Sequence, residues 1–242
     1  MIEANFCQKT AGIDAGFMVC WVQATGLTMG GLATRKGNAP MTEQFVFLGF
    51  RWVPCGLPPA GWGHSPQTDQ VTAPCNVSGC VTRRDWSADL NLNRALYFNT
   101  AAEALAEGLD ASDDNPDHYK LCAYRALPLV FDQNDVVQTI PLDALFVPSL
   151  STLPLPPEPD LTGFVRLGYD VVEYTMREPG ICHNFACSPL FCNSMAHLFW
   201  VNQYCLLPDL ATARQVAHLF AIEPPEPGPY MIVEVLAKEN EP

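Results

Sequence analysis

Apolar residues fall along this chain in short runs divided by glycine- and proline-rich stretches, with two helix-period stripes among them. The run Phe17-Met-Val-Cys-Trp-Val22 is continuous, apolar and partly β-branched, so it predicts a buried strand. Phe45-Val-Phe-Leu-Gly-Phe50 leads into Arg51, Trp52 and Val53 and predicts a stronger one, because aromatic and β-branched side chains suit a pleated surface. Residues 119–131 predict a strand interrupted at Pro128, which has no N–H to give to a ladder. Two further strands are expected at 164–169 and 231–236.

Thr100-Ala-Ala-Glu103 is a capping box that opens a short helix, with Ala101, Ala104, Leu105 and Leu109 on one stripe and Gly108 weakening its end. A second helix is expected from Asp209, its N-cap, with Leu210, Ala213, Ala217 and Phe220 on one face. Residues 110–117 form an acidic, turn-rich connector. Residues 148–159, including Leu153-Pro-Leu-Pro-Pro-Glu-Pro159, read as an extended linker. Their Pro-x-x-Pro spacings suit an SH3-type groove, but no basic residue flanks them, which favours the linker.

Past the linker the features recur in order. Phe164-Val-Arg-Leu-Gly-Tyr169 echoes the run at Phe45, and Cys187-x4-Cys192 echoes Cys75-x4-Cys80. Val201-Asn202-Gln203 echoes Leu92-Asn93-Arg94, and Pro227-Gly-Pro-Tyr230 echoes Pro116-Asp-His-Tyr119. The offsets stay between 109 and 119, with changes confined to loops, so an internal duplication is expected. Each unit would run strand, cysteine-bearing loop, short strand, helix, strand. The expected fold is therefore α+β: two pseudo-repeated units forming a mostly antiparallel sheet with helices on one side. The segments are 1–44 with one strand, 45–147 as first unit, 148–162 as linker and 163–242 as second unit.

Composition narrows the function. The chain has 242 residues, enough for a substantial core, but only 16% are charged, and 26 acidic against 13 basic residues leave a net charge of −13. Such a surface repels phosphate backbones and anionic membranes and steers toward basic partners. Residues 16–33 carry glycines and Gln23 and make a poor signal peptide or membrane span, so the cytoplasm is the expected compartment. Thiols stay reduced there, and the ten cysteines read as buried thiols, metal ligands or nucleophiles before disulfides.

The chemistry centres on residues 182–193, where Cys182, Cys187 and Cys192 stand five apart with His183 beside the first. Zinc takes four tetrahedral ligands, commonly as two close pairs. Cys75, Cys80, Cys187 and Cys192 are the candidate set, meeting across a pseudo-two-fold axis, with Cys182 or His183 as substitutes. The plain alternative is that cysteine packs as a small apolar side chain. A cysteine nucleophile is the competing chemistry: Cys187 or Cys192, with His183 or His197 as base, and Cys187 at the start of a helix over 188–195. Cys-x-x-Cys, Gly-x-Ser-x-Gly, His-Glu-x-x-His, P-loop, dinucleotide and EF-hand patterns are all missing from the sequence. The expected function is thus non-catalytic binding of another protein, of immunity, inhibitor or adaptor type, with a structural zinc as a candidate. The alternative is a cysteine-dependent enzyme.

Overall fold

The computed structural model describes residues 44–54, 92–93, 95, 97–111, 119–132, 137–139, 153–173, 188–192, 195–225 and 229–239. The strand expected at Phe17 and the N-terminal segment lie outside them, as do the cysteine-bearing loop before residue 92 and the one before 188.

The fold is α+β. Strands β1 (Val46–Pro54), β2 (Tyr119–Phe131), β4 (Phe164–Glu173) and β5 (Tyr230–Lys238) form an open antiparallel sheet in the order β1-β2-β5-β4. A short β3 (Val137–Thr139) pairs with the end of β2 beyond the reach of β1. Helices α1 (Ala101–Ala111) and α2 (Leu210–Ile222) precede β2 and β5. Both start as the sequence predicts. Thr100 Oγ1 accepts from the Glu103 N–H while the Glu103 carboxylate accepts from the Thr100 N–H and hydroxyl, and Asp209 accepts from the Thr212 N–H at 2.8 Å.

Strand parity places both helices on one face. Leu121, Ala123 and Leu236 pack with Phe47, Phe50 and Ala104 of α1. Leu127, Phe131, Ile232 and Tyr169 pack with Ala213, Ala217 and Phe220 of α2. The opposite face, with Leu48, Tyr124, Leu167 and Val235, is covered by Tyr97, Leu206 and Leu155. Burial on both faces explains why β5 reads as an almost unbroken apolar run, buried from Tyr230 through Ala237. Cys122 and Cys205 are buried thiols in these clusters.

Three expectations are corrected. Pro128 does not interrupt β2, which runs thirteen residues; the proline sits where the β2–β5 register shifts, between Ala126 and Val130, so its missing N–H costs no ladder bond. The helix expected over 188–195 shrinks to one turn, Pro189–Cys192, followed by a 3-10 turn at Met195–Leu198. The short strands expected around Asn93 and Asn202 are bridged loops, because each asparagine ties the chain into a tight turn instead.

Those loops close the outer edges of the sheet. Asn93 Nδ2 donates to the Leu48 carbonyl at 2.7 Å, and its Oδ1 accepts from the Ala95 and Tyr97 N–H groups at 2.9 and 3.2 Å. Asn202 Nδ2 donates to the Leu167 carbonyl at 2.7 Å, and its Oδ1 accepts from Tyr204 and Leu206 at 2.9 and 3.2 Å. Phe50 and Phe98 then exchange backbone hydrogen bonds, as do Tyr169 and Leu207. Each contact needs a glycine. Gly49 and Gly168 have φ of +136° and +153° at a bulge, and a Cβ there would stand 2.6 and 2.7 Å from the Phe98 and Leu207 carbonyl oxygens.

Candidate functional site

The cysteine constellation is not assembled among the described residues. Cys75, Cys80, Cys182, His183 and Cys187 lie outside them, as do the side chains of Cys192 and His197. Cys192 ends the helical turn Pro189–Cys192. Among the described residues no group of three or more His, Cys, Asp or Glu side chains is placed to hold a metal ion. Nor is any helix there long and apolar enough to cross a membrane.

Three other features stand out. The first is a buried pair beside the cysteine stretch. The Ser188 hydroxyl donates to Asp170 Oδ1 at 2.8 Å, and the same oxygen accepts from the Val171 N–H. Both side chains are fully buried, while Asp170 Oδ2 has no hydrogen-bond partner. Burial pushes the Asp170 carboxyl up to about 7, against the opposing pull of the Ser188 and Val171 bonds. The pair thereby fastens the start of the Pro189–Cys192 turn to edge strand β4. At the opposite edge, Arg51 is also buried, with its guanidinium 4.8 Å from the Tyr97 ring centroid. Burial lowers its pKa to about 10, although Tyr97 and Tyr124 oppose the shift.

The second feature is a charged network on the helix-bearing face. Glu234, nearly buried in the central strand, pairs with its ladder neighbour Arg125, whose Nε lies 2.7 Å from Glu234 Oε2. Arg125 Nη1 reaches Glu158 in the linker at 2.8 Å. Arg166 donates to the Tyr169 hydroxyl at 2.9 Å and stands 3.8 Å from Glu234. Burial pulls the Arg125 pKa down, but the two carboxylates outweigh it and hold it above its ordinary value. Burial and the Glu234 charge raise the Tyr169 hydroxyl, with Arg166 in opposition. The network cross-links strands β2, β4 and β5 to the linker.

The third feature is an apolar surface. The Phe199 ring meets Phe220 edge-on at 5.7 Å, which brings the segment after the 3-10 turn against the last turns of α2. Leu198, Trp200, Leu219 and Ile222, each within two positions of one of these rings in the chain, are exposed, Trp200 at 76%. A tryptophan so open loses the burial that ordinarily fixes its place in a fold. From the sequence a tryptophan is expected to be buried or to line a pocket, because an apolar side chain carries no sign of its own exposure.

Comparison with known proteins returns no match: no family model, no curated protein and no solved structure aligns with this chain.

Proposed function

We propose that the chain is a non-catalytic cytoplasmic protein that binds another protein, of the immunity, inhibitor or adaptor kind, through the apolar surface around Trp200. The observation that carries this reading is the exposure of four large apolar side chains on the two segments that Phe199 and Phe220 bring together, with the Trp200 indole open to solvent. Aromatic residues of this kind anchor interfaces, and contiguous apolar patches mark where partners dock. The net charge of −13 selects the occupant: a basic protein with an apolar pocket for the indole. The same charge speaks against nucleic acid.

We further infer that the chain arose by internal duplication. Gly49 and Gly168 carry the same bulge, Asn93 and Asn202 make the same three hydrogen bonds, and helices follow both at the same interval. The β2–β5 register supports it independently. Tyr124 pairs with Val235, and a two-fold rotation there carries Cys122–Ala237 onto Val233–Ala126, and Ala123–Leu236 onto Glu234–Arg125. Pairing of equivalent residues about one point is what an antiparallel duplicate requires.

The test is capture of a partner from the native host by tagged wild-type protein, beside Trp200→Ser and Ile222→Ser variants of equal urea midpoint. A stoichiometric basic protein held by the wild type and lost from both variants supports the reading. Absence of such a protein, or capture indifferent to both substitutions, refutes it. The competing reading is a cysteine enzyme using Cys187 or Cys192. One cysteine alkylated selectively near pH 6 would favour it, because only a depressed thiol pKa gives thiolate there. Elemental analysis of the untreated protein tests zinc on Cys75, Cys80, Cys187 and Cys192 in the same preparation.

A further inference from the structure

The proline-rich segment before β4 lies against the rest of the protein along one of its edges only. Every residue from Leu153 to Pro159 is a proline or stands directly before one. Proline fixes φ at about −65° and turns the residue before it away from the helical region, so the run is held to the polyproline II conformation. Accordingly, residues 153–161 carry no helix, strand or turn.

A polyproline II helix has three residues per turn, so its side chains fall on three edges. The edge of Leu155, Glu158 and Leu161 is turned to the protein. Leu155 packs against the cluster that holds Leu48 and Tyr124, Leu161 against that of Phe47 and Phe50, and Glu158 accepts from Arg125 Nη1 at 2.8 Å. The edge of Pro154, Pro157 and Asp160 is exposed throughout. The Asp160 carboxylate is held in place there. Its Oδ1 accepts from the Thr162 hydroxyl at 2.7 Å and from the Thr162 N–H at 2.9 Å, and these bonds keep its pKa below the ordinary value. Anchoring along one edge thus leaves a preformed Pro-x-x-Pro-x-x-Asp edge standing in solvent.

Pro-x-x-Pro edges dock in aromatic-lined grooves, where a preformed helix loses little entropy on binding. A groove that reads a basic residue beside the prolines is acidic at that end. Here the residue in phase with the prolines is Asp160, while Glu158 is taken up by Arg125, so the complementary groove is basic at that end. We propose that Pro154, Pro157 and Asp160 form a docking ligand for a protein with an aromatic-lined polyproline groove and a basic pocket at one end of it. The missing basic flank, which favours a plain linker on composition, is then the mark of the groove that fits. The edge shares no residue with the Trp200 surface and does not rest on the function proposed for it.

The probe is an isotope-labelled SH3 domain with lysine in place of the acidic residues of its specificity pocket, chosen as one that binds a free Pro-x-x-Pro-x-x-Asp peptide. The unaltered domain is the comparison. The full chain is titrated into each, and the amide resonances of the groove are followed. Saturable shifts in the groove of the lysine-pocket domain are expected, with the unaltered domain at least about fivefold weaker. Pro154→Ala and Pro157→Ala each weaken binding about fivefold or more, and Asp160→Lys reverses the preference between the two domains. Glu158→Gln and Trp200→Ser bind like wild type. The proposal is overturned by absence of groove shifts with the wild-type chain, by equal affinity of the two domains, or by unchanged affinity in both proline variants. It is overturned equally by an unchanged preference in Asp160→Lys, or by a loss in Glu158→Gln or Trp200→Ser as large as in the proline variants.

Discussion

Asparagine in place of Asp170 should stabilise the protein above neutral pH and do little in acid. The carboxyl is fully buried, and burial raises its pKa from 3.8 to about 7. A carboxyl whose folded pKa is raised favours the folded state fully below the unfolded value. That contribution is lost as pH climbs through the folded value. Between 3.8 and about 7 the wild type therefore gives up about 4 kcal/mol, at ~1.4 kcal/mol per tenfold change in proton affinity. Asparagine has no charge to bury and retains the oxygen that accepts from Ser188 and Val171. Its amide N–H groups replace the Oδ2 atom that has no partner, at a desolvation cost of about 1–3 kcal/mol. The protonated acid meets a similar cost with its own O–H, so the two proteins should nearly coincide near pH 4. The expected gain for Asp170→Asn then grows through pH 4–7 and levels off at about 2–4 kcal/mol. Urea unfolding of both proteins at intervals from pH 4 to 9 measures it. A stability difference that stays flat across that range, or one that grows in the wild type's favour with rising pH, would refute the buried, poorly solvated carboxylate.

Gly49→Ala and Gly168→Ala should each destabilise by about 2–4 kcal/mol, since both combine positive φ with a Cβ driven into a backbone oxygen. Asn93→Ala and Asn202→Ala should match each other within about 1 kcal/mol, each losing the same three hydrogen bonds worth ~1 kcal/mol apiece, with Asn93 also losing its bond to Asn99 Oδ1. A cost at one member of either pair and not the other, read from urea midpoints, would break the equivalence of the two edges. Arg125→Met should cost about 1–3 kcal/mol, discounted for the quarter of its side chain that is exposed, because it leaves the Glu234 charge in the sheet with only Arg166 and Tyr169 near it. Thermal melting against salt checks this: a buried pair loses little at high salt, whereas a surface pair would lose most of its effect.

How much of this was legible in the sequence follows from which interactions are local. The capping box at Thr100 and the cap at Asp209 span three residues and were read correctly. β5 was read because a strand buried on both faces must be apolar almost throughout. The glycine and asparagine echoes were visible because the edge closure tolerates few other residues at those points. Asp170 was illegible: its burial and its bond depend on Ser188, eighteen residues away across loop sequence. The Arg125–Glu234 pair spans 109 positions and exists only through the β2–β5 register. Pro128 misled because its conflict with a ladder is real in general and is removed here by a register shift that no local pattern announces.

Under the proposed duplication, the differences between the two units are more informative than their likeness. Phe47, Phe50, Ala123 and Leu236 form the apolar core beneath α1. Their counterparts are Arg166, Tyr169, Glu234 and Arg125, the charged network. Packing alone would keep the apolar version, since replacing a buried ion pair by apolar residues is often neutral or stabilising. In the other sense, the exposed Leu219 and Ile222 correspond in sequence to Asp110 and Asp113. The buried Arg51 of one edge is answered by the buried Asp170 of the other. A frame built from glycine bulges and asparagine clasps is thus held at both edges, while the charged network of Arg125, Arg166 and Glu234 and the exposed Trp200 depart from it. Stability explains the shared frame. It does not explain those departures, which under the proposed binding function are where a partner's contacts are to be sought.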